Sequence, residues 1–159
     1  MAWLMVVVVA LLASARCAPG AEPPASVAPA PPSAPSTRAD DPPVDVLAAR
    51  GQLLSVKQDW PQAEEVFRAA LDKDAERGDV WRGLGYVLRK QGRTSDALQA
   101  YERATSLAPN DPDALLGLGE CYVALGRKED AAALVERLRD LDKRHAATLH
   151  HVIEAGKPR

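Results

Sequence analysis

Aromatic side chains are scarce in this chain, at 4% with a single phenylalanine, and it contains only two cysteines. Too few rings are present to build a platform on which single-stranded bases stack. Two cysteines do not make a disulfide framework. Cys17 lies near the start, and Cys121 lies inside an apolar helical pattern, where a lone thiol packs as a small hydrophobe. An excess of one charge is also missing. The formal net charge is −2 with both signs interleaved, so there is no concentrated basic stripe to neutralise phosphates, and no nucleic-acid partner is expected. A Gly-rich phosphate loop, a nucleophile elbow and an HExxH zinc motif are all absent. No catalytic residue and no cofactor is expected, and the protein does not read as an enzyme. The three histidines, His145, His150 and His151, are not spaced to put two ligands on one helical face. They read as solvent-facing positions, with no metal site.

What is present divides sharply along the chain. Nine of the 13 prolines precede Val44, and the remainder is rich in Ala, Leu, Arg, Asp and Glu. Trp3 to Leu12 is an unbroken apolar run. As a helix it would span about 15 Å, half of a hydrocarbon core. Ala13-Ser14-Ala15 follows, so residues 1–15 read as a secretory signal cut after Ala15, although no Lys or Arg precedes the run. Cys17 offers a competing lipoprotein reading, but Arg16 occupies the place where a lipobox needs Gly or Ala. Residues 16–43, Ala- and Pro-rich and without an aromatic, cannot bury enough apolar surface to offset chain entropy. They read as a disordered linker, a spacer rather than a Pro-rich ligand.

Beyond Val44 one pattern repeats with a period of 34 residues. QDWPQA from Gln58, GRTSDA from Gly92 and GRKEDA from Gly126 share one form. Gly51, Gly85 and Gly119 recur at the same spacing, as do Leu47, Trp81 and Leu115, and then Phe67, Tyr101 and Val135. Each unit reads as two helices. Val80, Trp81, Leu84, Val87 and Leu88 mark one helical face, and Gly92 stops that helix. Thr94 or Ser95 is placed to cap the next helix, which carries Ala97, Leu98, Tyr101, Ala104 and Leu107. Small residues at Gly85 and Ala97 let the two axes approach, and Trp81 is expected to be buried.

The middle unit, GDVWRGLGYVLRKQGRTSDALQAYERATSLAPN, resembles a tetratricopeptide repeat at Trp81, Leu84, Gly85, Ala97, Tyr101 and Pro109. The third unit keeps Leu118, Gly119 and Ala131 and supplies Tyr122, while the first keeps Leu47, Gly51, Ala63, Phe67 and Ala70 and departs most elsewhere. The resemblance implies an all-α fold, a short right-handed solenoid of three hairpins at 44–77, 78–111 and 112–143. A capping helix over 144–155, with Ala146, Leu149, Val152 and Ile153 in one stripe, closes it, and residues 156–159 form a tail.

The same resemblance implies a concave groove for a protein or peptide partner. Projected onto this chain, its contacts are Gln52, Ser55 and Val56; Arg82, Tyr86, Arg89 and Lys90; and Glu120, Val123 and Ala124. A basic middle with one aromatic predicts a ligand with acidic character near Arg82 and Arg89 and an apolar group against Tyr86. The carboxylate clamp of chaperone-binding relatives is not reproduced, since Ala48 and Gln52 stand where Lys and Asn would be required. The expected protein is therefore a bacterial, exported binding module, periplasmic or envelope-associated. The alternative is a membrane-tethered assembly factor of a secretion, pilus or cytochrome-maturation system. Membrane contact would come only through an uncleaved N-terminal segment or a lipidated Cys17. The divergent first unit offers a face on which another copy could stack.

Overall fold

A computed structural model describes residues 41–156. The signal-peptide reading of residues 1–15, the linker up to residue 40 and the last three residues of the tail lie outside the described residues. Within them there are seven α-helices and no strand. They run α1 (Val44–Val56), α2 (Trp60–Lys73), α3 (Gly78–Lys90), α4 (Thr94–Leu107), α5 (Pro112–Ala124), α6 (Lys128–Leu141) and α7 (Lys143–Ala155). Among the described residues no helix is long and apolar enough to cross a membrane.

Each helix ends for a local reason. Within every hairpin the first helix stops at a residue in the left-handed region: Gln58 at φ 62°, Gly92 at φ 81° and Gly126 at φ 78°. Glycine adopts this conformation without a Cβ penalty, whereas Gln58 adopts it against one. The next amide then turns back onto the helix, as when Arg93 N–H donates to Leu88 O at 3.0 Å. Pro61 and Pro112 stand in the first turns of α2 and α5, where the missing N–H has no intrahelical partner to lose. Asp59, Asp111 and Asp142 cap α2, α5 and α7 through their carboxylates.

The expected cap at Thr94 or Ser95 is corrected. Arg93 is the N-cap of α4 and makes no side-chain cap bond. Its guanidinium instead pairs with Asp96 in the first turn and with Glu64 on α2 at 2.8 Å. Thr94 is already the first helical residue, so its hydroxyl is too far along the chain to serve as the cap.

Adjacent helices pack in order, and the first helices also touch one another, α1 with α3 and α3 with α5. The core runs between the helices of each pair. Ala63, Ala97 and Ala131 have no exposed surface. The ring of Phe67 lies against Gly51 of its own hairpin and Gly83 of the next, and Tyr101 repeats the arrangement between Gly85 and Gly117. A Cβ would lie 2.7 Å from the Phe67 ring at Gly51 and 2.6 Å from it at Gly83, and 2.3 Å from the Tyr101 ring at Gly117, so these three positions leave room only for hydrogen. The aromatic side chain thus joins two successive hairpins as well as filling one. Unit three has Val135 at this place, and Leu149 of α7 reaches in to cover Gly119.

Trp81 differs from its expectation. It is only half-buried, with its indole laid over the α2–α3 connection and Nε1 donating to Ala75 O at 2.8 Å. Asp142 alone connects α6 to α7, where the earlier hairpins are joined through residues 74–77 and 108–111. This short link swings α7 back against both α5 and α6, burying Ala146, Leu149 and Val152.

Candidate functional site

The first helices, α1, α3 and α5, line a groove of about 570 Å³. Its floor is formed where the two glycines lie over rings, Gly83 over Phe67 and Gly117 over Tyr101. Leu116 contributes apolar wall, and Tyr86 stands exposed at the rim. Trp60 of α2 meets Tyr86 edge-on, with ring centroids 6.0 Å apart. The cations of Arg89 and Lys90 lie 5.8 and 5.4 Å from the Tyr86 centroid, attracted by the negative face of the ring.

Of the predicted contacts, Gln52, Ser55, Arg82, Tyr86, Arg89 and Glu120 line this groove together. Ser55 directs its hydroxyl to Gly51 O at 2.8 Å within its own helix. Four predicted contacts stand elsewhere. Val56 is exposed beyond the end of the groove, and Lys90 reaches it only by lying over Tyr86. Val123 is buried with Ala131 and Val152, because α7 covers the face that the next hairpin would otherwise have covered. Ala124, one residue further on, is exposed outside the groove lining.

The expectation of a basic middle is corrected by the ion pairs. Arg82 places Nε 3.0 Å from Asp111 and Nη1 3.0 Å from Asp113. Arg89 pairs with Glu120 at 3.0 Å, the two side chains being 13% and 6% exposed. Burial works against the charge on Arg89, but the Glu120 carboxylate and the Tyr101 hydroxyl more than compensate, so its pKa rises above the ordinary value. Tyr101 is pushed up by burial against the opposing pull of Arg89. Burial likewise pushes the Cys121 thiol up to about 12, so it is protonated and chemically quiet at neutral pH. Asp79, Asp113 and Glu120 line the groove alongside Arg82 and Arg89, leaving it electrically mixed rather than basic.

Asp79, Asp113, Gly83 and Gly117 were missed by the sequence reading, as were the ring faces beneath the glycines. The period would have found them, since Asp79 and Asp113, like Gly83 and Gly117, are 34 residues apart. His145 is also reassigned. It was expected to face solvent, but it bridges α7 to α5, with Nε2 3.0 Å from Asp113 and Nδ1 3.0 Å from Asp142. His150 lies 3.3 Å from Glu154 near the far end of α7. Among the described residues no group of three or more His, Cys, Asp or Glu side chains converges as metal ligands would.

Comparison with known proteins places these features in a wider set. Two tetratricopeptide repeat family models match the chain, over residues 48–112 and 88–151. Protein CTR9 homolog of Arabidopsis thaliana is 34% identical over 94 residues, which is 58% of this chain and 9% of that protein. The peroxisomal targeting signal receptor of Eremothecium gossypii is 32% identical over 88 residues, 55% of this chain and 16% of the receptor. The chain therefore spans less than a fifth of the length of these relatives. Among solved structures, YrrB, described as having an unusual peptide-binding site, is 27% identical at TM-score 0.62, covering 70% of this chain and 59% of YrrB. The type III secretion translocator chaperone SycD of Yersinia enterocolitica shares the fold at TM-score 0.65 and 18% identity, covering 71% and 82% of the two chains. The TPR2B domain of yeast Sti1, solved as a complex with pHsp70, does so at 0.67 and 16%, covering 72% and 98%.

Proposed function

The chain belongs to the tetratricopeptide repeat family, and from that premise we propose that it is a protein–protein interaction module whose α1–α3–α5 groove holds an extended peptide or a partner helix. The observation that carries this reading is the groove itself. Its floor is the Phe67 and Tyr101 rings packed against Gly83 and Gly117, an apolar base along the first helices. Tyr86, rigid and backed by Trp60, offers an apolar anchor at the rim, the kind of residue that dominates interface energetics. The peptide-binding site of YrrB and the Hsp70 complex of the Sti1 domain support a ligand of this class.

The ion pairs change what the ligand is asked to supply. Arg82 and Arg89 already have carboxylate partners, so an acidic ligand would have to displace them. Recognition rests on shape and apolar contact at Tyr86 and Leu116, with Gln52 as a polar contact on α1. Export remains part of the proposal on the strength of the apolar run and Ala13-Ser14-Ala15 alone.

Peptides selected from a random display library against the full chain test the groove. Tyr86→Ala is expected to weaken the selected peptides by about tenfold or more while far-UV circular dichroism stays unchanged. Peptides that bind Tyr86→Ala and Gln52→Glu as tightly as the native chain would move the site off this face. The N-terminal sequence of protein recovered from the producing cell tests export, and an intact Met1 would overturn cleavage after Ala15.

A further inference from the structure

The edge of the array formed by α1 and α2 carries a second message. Equivalent positions in the three first helices show what it is built for. Val80 and Val87 of α3, and Ala114 and Cys121 of α5, have no exposed surface, because the preceding hairpin covers them. The corresponding residues of α1, 34 positions earlier, are Val46 and Leu53, still apolar but 52% and 55% exposed. Between them, where α3 and α5 carry Leu84 and Leu118, α1 has Arg50. Beside Arg50 runs a shallow cleft of about 280 Å³, with Leu47 and Val66 in its floor and Glu65 on its α2 side.

Two details say what does and does not cover this edge. At the position where α3 and α5 carry Gly83 and Gly117 beneath an aromatic ring, α1 has Ala49. Another hairpin of the same kind, bringing its ring, would clash there. Arg50 and Glu65 supply the second detail. Both are exposed, and neither has an ion-pair partner among the described residues. Phe67 packs on Gly51, which fixes Arg50 and Glu65 at about the same level along their antiparallel helices. The edge is therefore apolar at its two ends, with one unmatched positive and one unmatched negative charge side by side between them. Such a surface is complementary to itself.

We propose that this edge binds the same edge of a second copy of the chain, about a twofold axis running parallel to α1 and α2 and between them. That operation sets α1 of one copy over α2 of the other and keeps heights along the axis. Arg50 then meets the partner's Glu65 twice, and Val46 and Leu53 are covered as Val80 and Val87 are within the chain. The alternative packing, α1 directly over its own copy in antiparallel fashion, would place Arg50 against Arg50, so like-charge repulsion opposes it. The far edge of the array does not compete, because α7 already covers it. The interface is isologous and closes on itself, so it yields a dimer rather than a filament.

Sedimentation equilibrium of the full chain at micromolar concentration tests this. The native chain has a mass of 17.0 kDa, and twice that mass is expected. Leu53→Glu is expected to sediment as a monomer with unchanged helicity. Arg50→Glu and Glu65→Arg are each expected to weaken association about tenfold by setting like charges opposite, and the double reversal to restore it. A monomeric native chain would overturn the proposal. So would association that ignores all of these substitutions, or a double reversal that associates no better than the single ones.

Discussion

Removing Glu120 tests the reading of the groove as internally neutralised. Its carboxylate is 3.0 Å from the Arg89 guanidinium, at 6% and 13% exposure. Breaking a fully buried pair from one side costs about 3–5 kcal/mol, because the remaining charge is left without compensation. In Glu120→Leu the remaining cation keeps two sources of relief, the Tyr86 face at 5.8 Å and the Tyr101 hydroxyl. A cation over an aromatic face is worth about 1 kcal/mol in a partly desolvated setting, and the residual exposure of Arg89 lets water recover part of the rest. The expected loss is then about 2–3 kcal/mol, or about 10 °C in Tm for a domain of this size. Replacing both partners, as in Arg89→Met/Glu120→Leu, removes the buried charges together and should return stability to within about 1 kcal/mol of native. Urea denaturation followed by far-UV circular dichroism gives all three free energies. A double variant as unstable as Glu120→Leu would mean that the loss came from packing and not from charge, and would refute the account of Arg89 given above.

Two further predictions concern the scaffold. Gln58 occupies at φ 62° the place held by Gly92 and Gly126 in the later hairpins. Gln58→Gly should therefore stabilise the fold, by about 0.5–1 kcal/mol once the added freedom of the unfolded chain is subtracted; a lower urea midpoint would contradict the strain assigned there. Asp79 is held below the ordinary aspartate value of 3.8, chiefly by the Arg77 guanidinium at 2.9 Å. A depressed folded value means that its contribution is present above 3.8 and is lost as pH falls through the lower folded value. The stability difference between the native chain and Asp79→Asn should shrink on acidification through that range, and a difference independent of pH would remove Asp79 from the account.

The groove was partly legible before any coordinate. Gln52, Ser55, Arg82, Tyr86, Arg89 and Glu120 followed from the resemblance to the tetratricopeptide repeat, and the 34-residue register carried its groove face from one unit to the next. What the register could not show was which charges meet. Arg82 finds Asp111 and Asp113 on the next hairpin, and Arg89 finds Glu120, because stacking brings adjacent first helices side by side. Linear spacing carries no information on that distance. His145 was misplaced for a related reason. Its contact with Asp113 exists only because α7 folds back over α5.

The sequence by itself determined the helical hairpins, the stop at Gly92 and the small residues Gly85 and Ala97 between paired helices, since all of these depend on local geometry and a regular period. Tertiary structure decided the rest. The one-residue link at Asp142 turned α7 inward and took Val123 out of the groove. Stacking neutralised the groove arginines, and the absence of a covering hairpin among the described residues left Val46 and Leu53 exposed. Each of these depends on which surfaces meet across the array, and burial and charge pairing are properties of those meetings rather than of any residue alone.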